Sequence, residues 1–499
     1  MKEAAVAMPQ TPTGVAAEPA SGSALLSLPL AMGLLACLIG LATPLGRLDD
    51  PDTLLHVVIG RWIIAHRAVP HVDPFTYTMP GAPWVAHEWA GGVISALAFD
   101  AFGWHGLVVM ASLSFGVAIA VFTRAVLRYY APVQAILVVC AAWIVISPHW
   151  LARPHILALP LLIWWIALLV RAREENRAPP LASALIMIPW VNVHGTFLVG
   201  VGFCGLFAIE AVLLTNGEAA RLKAARDWGL FVVAMLAASL ITPNGIEAYL
   251  LPMRLLNMKF ALSQLSEWKS VDFQKLSTLE IWLLLALGTV LYRGILLPLS
   301  RVLLSLMLFA MSLQHARNGD LLAIVAPLLA GPWAGPQLGR ARAPGERADW
   351  LDRLARPAGA RGLALAALVS GAAALVAAAF PITPAAKYVP AAALDAARAG
   401  GATGPVLNDY NYGDYLLFAG VKTFIDGRAD MFGDPFIKRY YTATHGDTDA
   451  LKTLLSDYHV AWTIFPGDSP AVAAIDHMAG WRRLYADKDN VVQVRAGAR

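Results

Sequence analysis

The sequence predicts a polytopic α-helical membrane protein with a small α/β domain at its C-terminal end. Three observations carry this. Hydrophobic residues make up 58% of the chain and charged residues 14%, against about 45–50% and about 25% in soluble domains. Apolar runs close to the length of a bilayer span recur from Ala24 to Phe380. Beyond residue 380 the composition returns to ordinary polarity, with no further run of that length.

The net charge of +4 is small for 499 residues and gives no case for nucleic acid as a partner. Cys37, Cys140 and Cys204 fall inside apolar runs with no CxxC or metal-ligand spacing, so they read as buried thiols rather than a disulfide framework.

Residues 1–23 are rich in Ala, Pro, Ser and Thr and are expected to form a disordered cytoplasmic N-terminus. The run from Ala24 to about Thr43 is too long for a signal-peptide core and lacks a small-x-small cleavage site. It reads as an uncleaved first span. Residues 24–380 then form the transmembrane domain, within which 45–105 is the first outer loop.

Two helices are expected in that loop. The stretch Leu54–Ala65 is short and carries Arg61 and Trp62 among apolar residues, which suits a helix lying at the membrane interface. The repeated prolines between Val69 and Pro83 forbid a continuous helix. The second helix, 87–103, carries Glu88 and Asp100. If it crossed the membrane, the later Arg-rich loops would fall outside; if it stays on the outer side, they fall inside, as the positive-inside bias expects.

The second choice gives about eleven spans, at 24–44, 106–126, 133–148, 156–172, 181–196, 198–215, 228–243, 276–292, 295–312, 319–335 and 362–380. Residues 336–361 become a basic inner loop containing Arg340, Arg342, Arg347, Arg353, Arg356 and Arg361. Residues 381–499 become a periplasmic α/β domain. Its strands are expected at Pro405–Asn408, Val421–Asp426, Val460–Phe465, Trp481–Ala486 and Val491–Val494, and its helices at Ala391–Ala399, Pro435–Thr442, Asp447–Tyr458 and Ala471–Ala479.

This arrangement gathers the chemically rich breaks on one face. They are Pro148-His-Trp-Leu-Ala-Arg-Pro-His155, Trp190-Val-Asn-Val-His-Gly195, Thr242-Pro-Asn-Gly245, Ser266-Glu-Trp-Lys269 and Gln314-His-Ala-Arg-Asn-Gly-Asp320. They join the stretch Arg47-Leu-Asp-Asp-Pro-Asp-Thr-Leu-Leu-His56 and the loop residues His71, Asp73, His87 and Glu88. The loops of the other face are plain Arg, Ala and Glu.

Asp49, Asp50 and Asp52 offer either a general base or hard oxygen ligands for a divalent cation. The same residues also suit a solvated helix cap before the apolar stretch that follows. Arg153, His155 and His194, at the mouths of spans, could hold a phosphate through charge-assisted hydrogen bonds, with Lys269 and Arg317 as further candidates. A lone Arg there could equally snorkel to headgroups. His56, His87 and Glu88 complete the polar cluster around the first loop. His315 reads as structural.

Trp84, Trp89, Trp150, Trp190 and Trp268 fit an aromatic belt at the interface better than a sugar platform. In the outer domain, Asn408-Asp-Tyr-Asn-Tyr-Gly-Asp-Tyr415 and Phe424-Ile-Asp-Gly-Arg-Ala-Asp430 read first as turn chemistry. Gly413 and Gly427 would sit in tight turns, and Asp426 and Arg428 could pair. GxxxxGK[ST], HExxH, GxSxG and a post-strand GxGxxG are absent from the sequence. That argues against a nucleotide motor, a zincin, an α/β-hydrolase and a dinucleotide enzyme.

An acidic cluster after span one, two juxtamembrane helices in that loop, many short spans and an outer C-terminal domain together resemble the GT-C superfamily of polytopic glycosyltransferases. Asp50-Pro-Asp-Thr-Leu-Leu-His-Val-Val-Ile-Gly-Arg-Trp62, Asp73-Pro-Phe-Thr-Tyr-Thr78, His87-Glu-Trp89 and Phe424-Ile-Asp-Gly-Arg428 are similar to a bacterial subgroup. Protein mannosyltransferase-like and lipid A or lipopolysaccharide-modifying relatives are nearer readings than the oligosaccharyltransferases.

The resemblance implies an enzyme of the bacterial inner membrane that moves a sugar from a polyprenyl-phosphate donor to a periplasmic lipid, polysaccharide or protein, with inversion. It gives the loop-one acid to Asp49 or Asp50, with Asp50 the choice of base, and the departing phosphate to Arg153, His155 and His194. It fixes no cofactor, though Asp50 and Asp52 could hold a divalent cation (Mg or Mn), as in the oligosaccharyltransferase catalytic subunits. The chain has no clear WWDYG motif, which sets it apart from the oligosaccharyltransferases. A flippase for a lipid-linked saccharide and a non-catalytic membrane scaffold are the alternative readings.

Overall fold

The computed structural model describes residues 25–339, 350–382 and 384–496. The expected disordered stretch 1–23 and the arginines Arg340, Arg342 and Arg347 lie outside the described residues.

A helix covers each apolar segment that the sequence marks as a span. The first, Leu28–Ala42, starts where the Ser27 side chain accepts a hydrogen bond from the Leu30 amide (3.3 Å), which satisfies one of the free N–H groups of a helix start. Five helices are long and apolar enough to cross a membrane by length and composition: Trp89–Val126, Pro132–His149, Pro154–Glu174, Ala316–Leu338 and Ala360–Ala378. Shorter apolar helices include Leu28–Ala42, Leu181–Val193, Phe197–Leu213 and Leu299–Gln314.

The first loop holds the helix Thr53–His66 and then an elbow. Helical hydrogen bonding runs from Trp89 to Val126, but Phe102 and Gly103 leave helical geometry, Gly103 at φ 58°. That is a left-handed conformation glycine adopts without a Cβ penalty. The elbow falls where the sequence predicts a boundary, between 103 and 106.

Backbones approach closely around the first loop. A Cβ on Gly60 would lie 2.1 Å from the Gly92 carbonyl oxygen, and one on Gly91 would lie 2.6 Å from Cβ of Pro154. Small residues of this kind let helices touch backbone to backbone. They draw His56, Glu88 and Arg153 towards one another.

The C-terminal domain carries one four-stranded sheet, β1 (Val406–Asn408), β2 (Trp462–Pro466), β3 (Trp481–Ala486) and β4 (Asn490–Arg495), in the order β1-β2-β4-β3. β1 and β2 are parallel; β2–β4 and β4–β3 are antiparallel. Helices Ala391–Ala399, Ala429–Thr444, Thr448–Asp457 and Pro470–Asp476 pack with it.

Two expectations are corrected here. Val421–Asp426 is not a strand, because other partners take its backbone. Asn408 Oδ1 accepts from the Phe424 amide (2.9 Å), Asn408 Nδ2 donates to the Ile425 carbonyl (2.8 Å), and Thr78 Oγ1 donates to the Phe424 carbonyl (2.7 Å). Gly427 lies at a bend, with its carbonyl accepting from the Ala429 amide (3.0 Å), but Gly413 does not sit in a turn. Gly413 instead opens a short helix, Gly413–Phe418.

The domain and the first loop share one apolar core. Leu55, Ile59, Ile63 and Trp84 from the loop are buried with Phe424, Ile425, Met431 and Tyr440, each such side chain contributing roughly 1.5–3 kcal/mol of burial. Arg428 locks the joint. It pairs with both oxygens of Asp426 (Nε–Oδ1 2.8 Å, Nη2–Oδ2 2.6 Å), donates to Asp73 Oδ1 (2.7 Å), and lies over Trp84 at 4.7 Å. All three charged side chains are buried.

The tryptophan belt is also corrected. Trp84, Trp150 and Trp190 are buried inside the protein. Trp150 stacks on Phe115 (4.0 Å) and Trp190 Nε1 donates to Thr196 Oγ1 (3.0 Å). A ring with both a packing partner and a hydrogen bond inside the fold has no need of the lipid interface.

Candidate functional site: a carboxylate–arginine centre

Arg153 is the hub. It sits immediately before Pro154, the first residue of the helix Pro154–Glu174, in extended geometry (φ −118°, ψ 161°), as the residue before a proline favours. Its guanidinium contacts Asp50 Oδ1, lies 3.0 Å from Asp52 Oδ2, and lies 3.8 Å from Glu267 Oε2. Glu267 in turn faces Arg317 at 3.5 Å, and Arg317 lies over the Trp268 ring at 4.6 Å.

The two aspartates differ. Both Asp50 oxygens are occupied, one by Arg153 and the other by Thr53 Oγ1 (2.9 Å), and the side chain is 1% exposed. Burial acts to raise its carboxyl, but the Arg153 charge and the two hydrogen bonds hold it below its ordinary value. The Asp52 side chain is 27% exposed. Burial, only partly offset by Arg153 and reinforced by the charges of Asp50, Glu267 and Glu88, lifts it to about 7.

Glu88 organises a second layer. His194 Nε2 (3.3 Å) and His87 Nε2 (3.5 Å) face one oxygen, and His56 Nε2 (3.7 Å) faces the other. Burial would raise Glu88, yet His194 and His87 hold it well below the carboxylate range. Burial would lower His87, yet Glu88 lifts it to about 9. The His155 ring lies 6.0 Å from that of His194, with its Nε2 at 2.7 Å from the His149 carbonyl; His149 faces Asp320 at 3.0 Å.

Asp50, Asp52, Arg153, Arg317, His56, His87, Glu88, His155 and His194 therefore lie in one connected region. Two named residues lie apart from it. Asp49 points to the surface and pairs with Lys387 at 2.6 Å. Lys269 is exposed, and its carbonyl accepts from the Ala316 amide (3.0 Å). His315 bonds the Trp268 carbonyl at 2.6 Å, which fits a structural role.

Sequence reading gave no role to Glu267, His149, Asp320 or Asp414, although all four fall in segments it had marked. Asp414 is 1% exposed, accepts from the Gly427 amide (2.9 Å) and is pushed well above its ordinary value by burial and by Asp52 and Asp426.

A divalent cation does not fit Asp50 and Asp52 as they stand. Arg153 already supplies the positive charge to both. Among the described residues no group of three or more His, Cys, Asp or Glu is placed to hold a metal ion.

A bundle of short apolar helices, with a charged centre built on its first loop and a C-terminal domain seated over that loop, is the GT-C fold. Solved structures with this fold include the archaeal oligosaccharyltransferase AglB from Archaeoglobus fulgidus, in complex with an inhibitory peptide and a dolichol-phosphate. It has a TM-score of 0.53 and 10% identity, covering 88% of this chain and 69% of that one. ArnT from Cupriavidus metallidurans bound to undecaprenyl phosphate has a TM-score of 0.50 and 15% identity, covering 94% of this chain and 98% of that one. In its apo state ArnT has a TM-score of 0.51. No family model and no curated protein sequence matches the chain.

Proposed function

We propose that the protein is a GT-C-type glycosyltransferase that moves a sugar from a polyprenyl-phosphate donor to an acceptor hydroxyl at the outer face of the bacterial inner membrane. The observation that carries this is the juxtaposition of first-loop carboxylates with Arg153 and the histidines of two later helix ends, at one end of the bundle. The fold shared with AglB and ArnT, whose structures hold dolichol-phosphate and undecaprenyl phosphate, supports the same donor class.

The chemistry is a single displacement with inversion. A loop-one carboxylate takes the acceptor proton as the acceptor oxygen bonds to the anomeric carbon. The bond from that carbon to the phosphate oxygen breaks, and its electron pair leaves with the lipid phosphate. Arg153, with His155, His194 and Arg317 around it, supplies positive charge and N–H donors to the departing phosphate. Groups fixed in place before the reaction stabilise developing charge without reorganising.

The flippase reading predicts paired helix breaks near the bilayer midplane in corresponding halves. The polar breaks here gather at one end instead, which favours an enzyme. The test is turnover by the purified full-length protein in proteoliposomes with a panel of polyprenyl-phosphate sugars. Transfer that is lost in Asp50→Asn and Asp52→Asn, with folded protein retained, supports the reading. Lipid-linked saccharide moving between leaflets with no bond broken would sink it, and so would full biological activity in both variants.

A further inference from the structure

We infer that Asp52, rather than Asp50, is the base of the proposed transfer, and that Asp414 of the C-terminal domain is the positioning residue that completes it. This rests on the glycosyltransferase reading. It begins from Gly427. A Cβ there would lie 2.8 Å from Asp414 Oδ2 and 2.9 Å from Asp52 Oδ1. The backbone at 427 is not left-handed, so glycine is needed for room. The room is taken by two carboxyl groups brought from residues far apart in sequence.

Asp414 Oδ2 is a buried oxygen with no hydrogen-bond partner, facing that shared point. Its other oxygen is held by the Gly427 amide. The two carboxyl groups approach one shared point, where a single proton held between them relieves their repulsion. With that proton on Asp414, its O–H is free to donate towards Asp52 Oδ1. The partner then stays ionised, with Oδ2 against Arg153 (3.0 Å). Asp50, by contrast, has both oxygens taken and is 1% exposed; it serves Arg153 as counter-ion.

The groups facing this pair are few. Arg153, Asp50, Glu267 and Glu88 act on Asp52, and Asp426, Asp50 and the Gly427 amide act on Asp414. Tyr410 lies alongside. In the step itself the acceptor hydroxyl proton moves to Asp52 as the acceptor oxygen bonds to the anomeric carbon and the phosphate departs with the electron pair. Asp414 keeps its own proton throughout and fixes the direction of the receiving oxygen.

The experiment uses the full-length protein in lipid and has two readouts. Infrared spectra near neutral pH report a protonated carboxyl group whether or not any donor is turned over. The band is expected to vanish in Asp414→Asn, to shift in Asp52→Asn and to persist in Asp50→Asn. A band that survives Asp414→Asn, or is absent from the wild type, overturns the pairing.

The second readout is the pH profile of kcat with the best polyprenyl-phosphate donor. Asp414→Ala removes an O–H donor that favours the ionised form of Asp52, so the acid limb should move up by about one pH unit with KM for the donor unchanged. A limb that stays in place, or moves down, in folded Asp414→Ala protein overturns the positioning role. No turnover with any donor would count against the glycosyltransferase reading, while the infrared result would still decide the pair.

Discussion

Arg153 Nη2 lies 3.0 Å from Asp52 Oδ2 while the same guanidinium contacts Asp50, so one cation answers two acids of the first loop. Replacing it with glutamine leaves a buried charge at Asp50 without compensation. The expected loss is about 3–5 kcal/mol, read by thermal or denaturant unfolding in detergent. Adding Asp50→Asn to Arg153→Gln should restore part of that loss. Simple additivity of the two substitutions would show that the pair does not act as a unit.

The joint between loop and domain depends on Arg428 and Asp73 (Nη1–Oδ1 2.7 Å), both buried. Arg428→Met strands Asp73 and Asp426 together, and a loss of about 3–5 kcal/mol is expected. Limited proteolysis should then release the C-terminal domain faster than in wild type. Unchanged cleavage kinetics would count against the joint.

Any alanine at 427 must displace Asp52 or Asp414, given contacts of 2.9 and 2.8 Å. The packing cost is about 1–3 kcal/mol, small enough for folded protein to be recovered. Turnover should nevertheless fall by at least about tenfold, as about 1.4 kcal/mol of lost transition-state stabilisation gives. A fully active Gly427→Ala enzyme would show that the two acids need no such proximity.

Stability should respond to pH through His87. Its folded value, about 9, lies above the ordinary 6.5. The folded state holds the proton more tightly, so this contribution is complete below 6.5 and is lost as pH rises through 9. Allowing for partial solvent screening, its size is on the order of 1–2 kcal/mol. Melting temperatures of wild type and His87→Gln should therefore converge at alkaline pH. Curves that stay parallel from pH 6 to 10 would reject His87 as the source.

Orientation is checked most simply by reporters. The charge bias places the basic stretch that ends at Arg361 inside and the C-terminus outside. A phosphatase fused after the last residue should be active, and one fused after Arg361 should not. The reverse pattern would put the carboxylate centre on the wrong leaflet for a periplasmic acceptor.

Much of the scaffold could be read from residue order alone. Apolar length marks the helices of the bundle, and the boundary expected between 103 and 106 falls beside the non-helical Phe102 and Gly103. The acids and cations of Asp50, Asp52, Arg153 and His194 could be grouped because membrane topology sorts loops by side before any contact is known. Asp414 and Glu267 escaped that logic. Their importance comes from proximity to Asp52 and Arg153, residues remote from them in sequence, and a lone buried aspartate carries no spacing signal. Trp84, Trp150 and Trp190 misled for a related reason, since a ring bound for lipid and one bound for the interior have the same composition around them. The segment Val421–Asp426 has strand-like residues, but Asn408 and Thr78 reached its backbone first.

The shared burial of Leu55, Ile59, Ile63 and Trp84 with Phe424 and Tyr440 has an evolutionary and practical corollary. Neither partner can be exchanged by itself: a chimera that imports a foreign tail must import the matching opening loop, or expose a greasy face and orphan Asp73. Inheritance should therefore treat the two ends of this polypeptide as a single cassette.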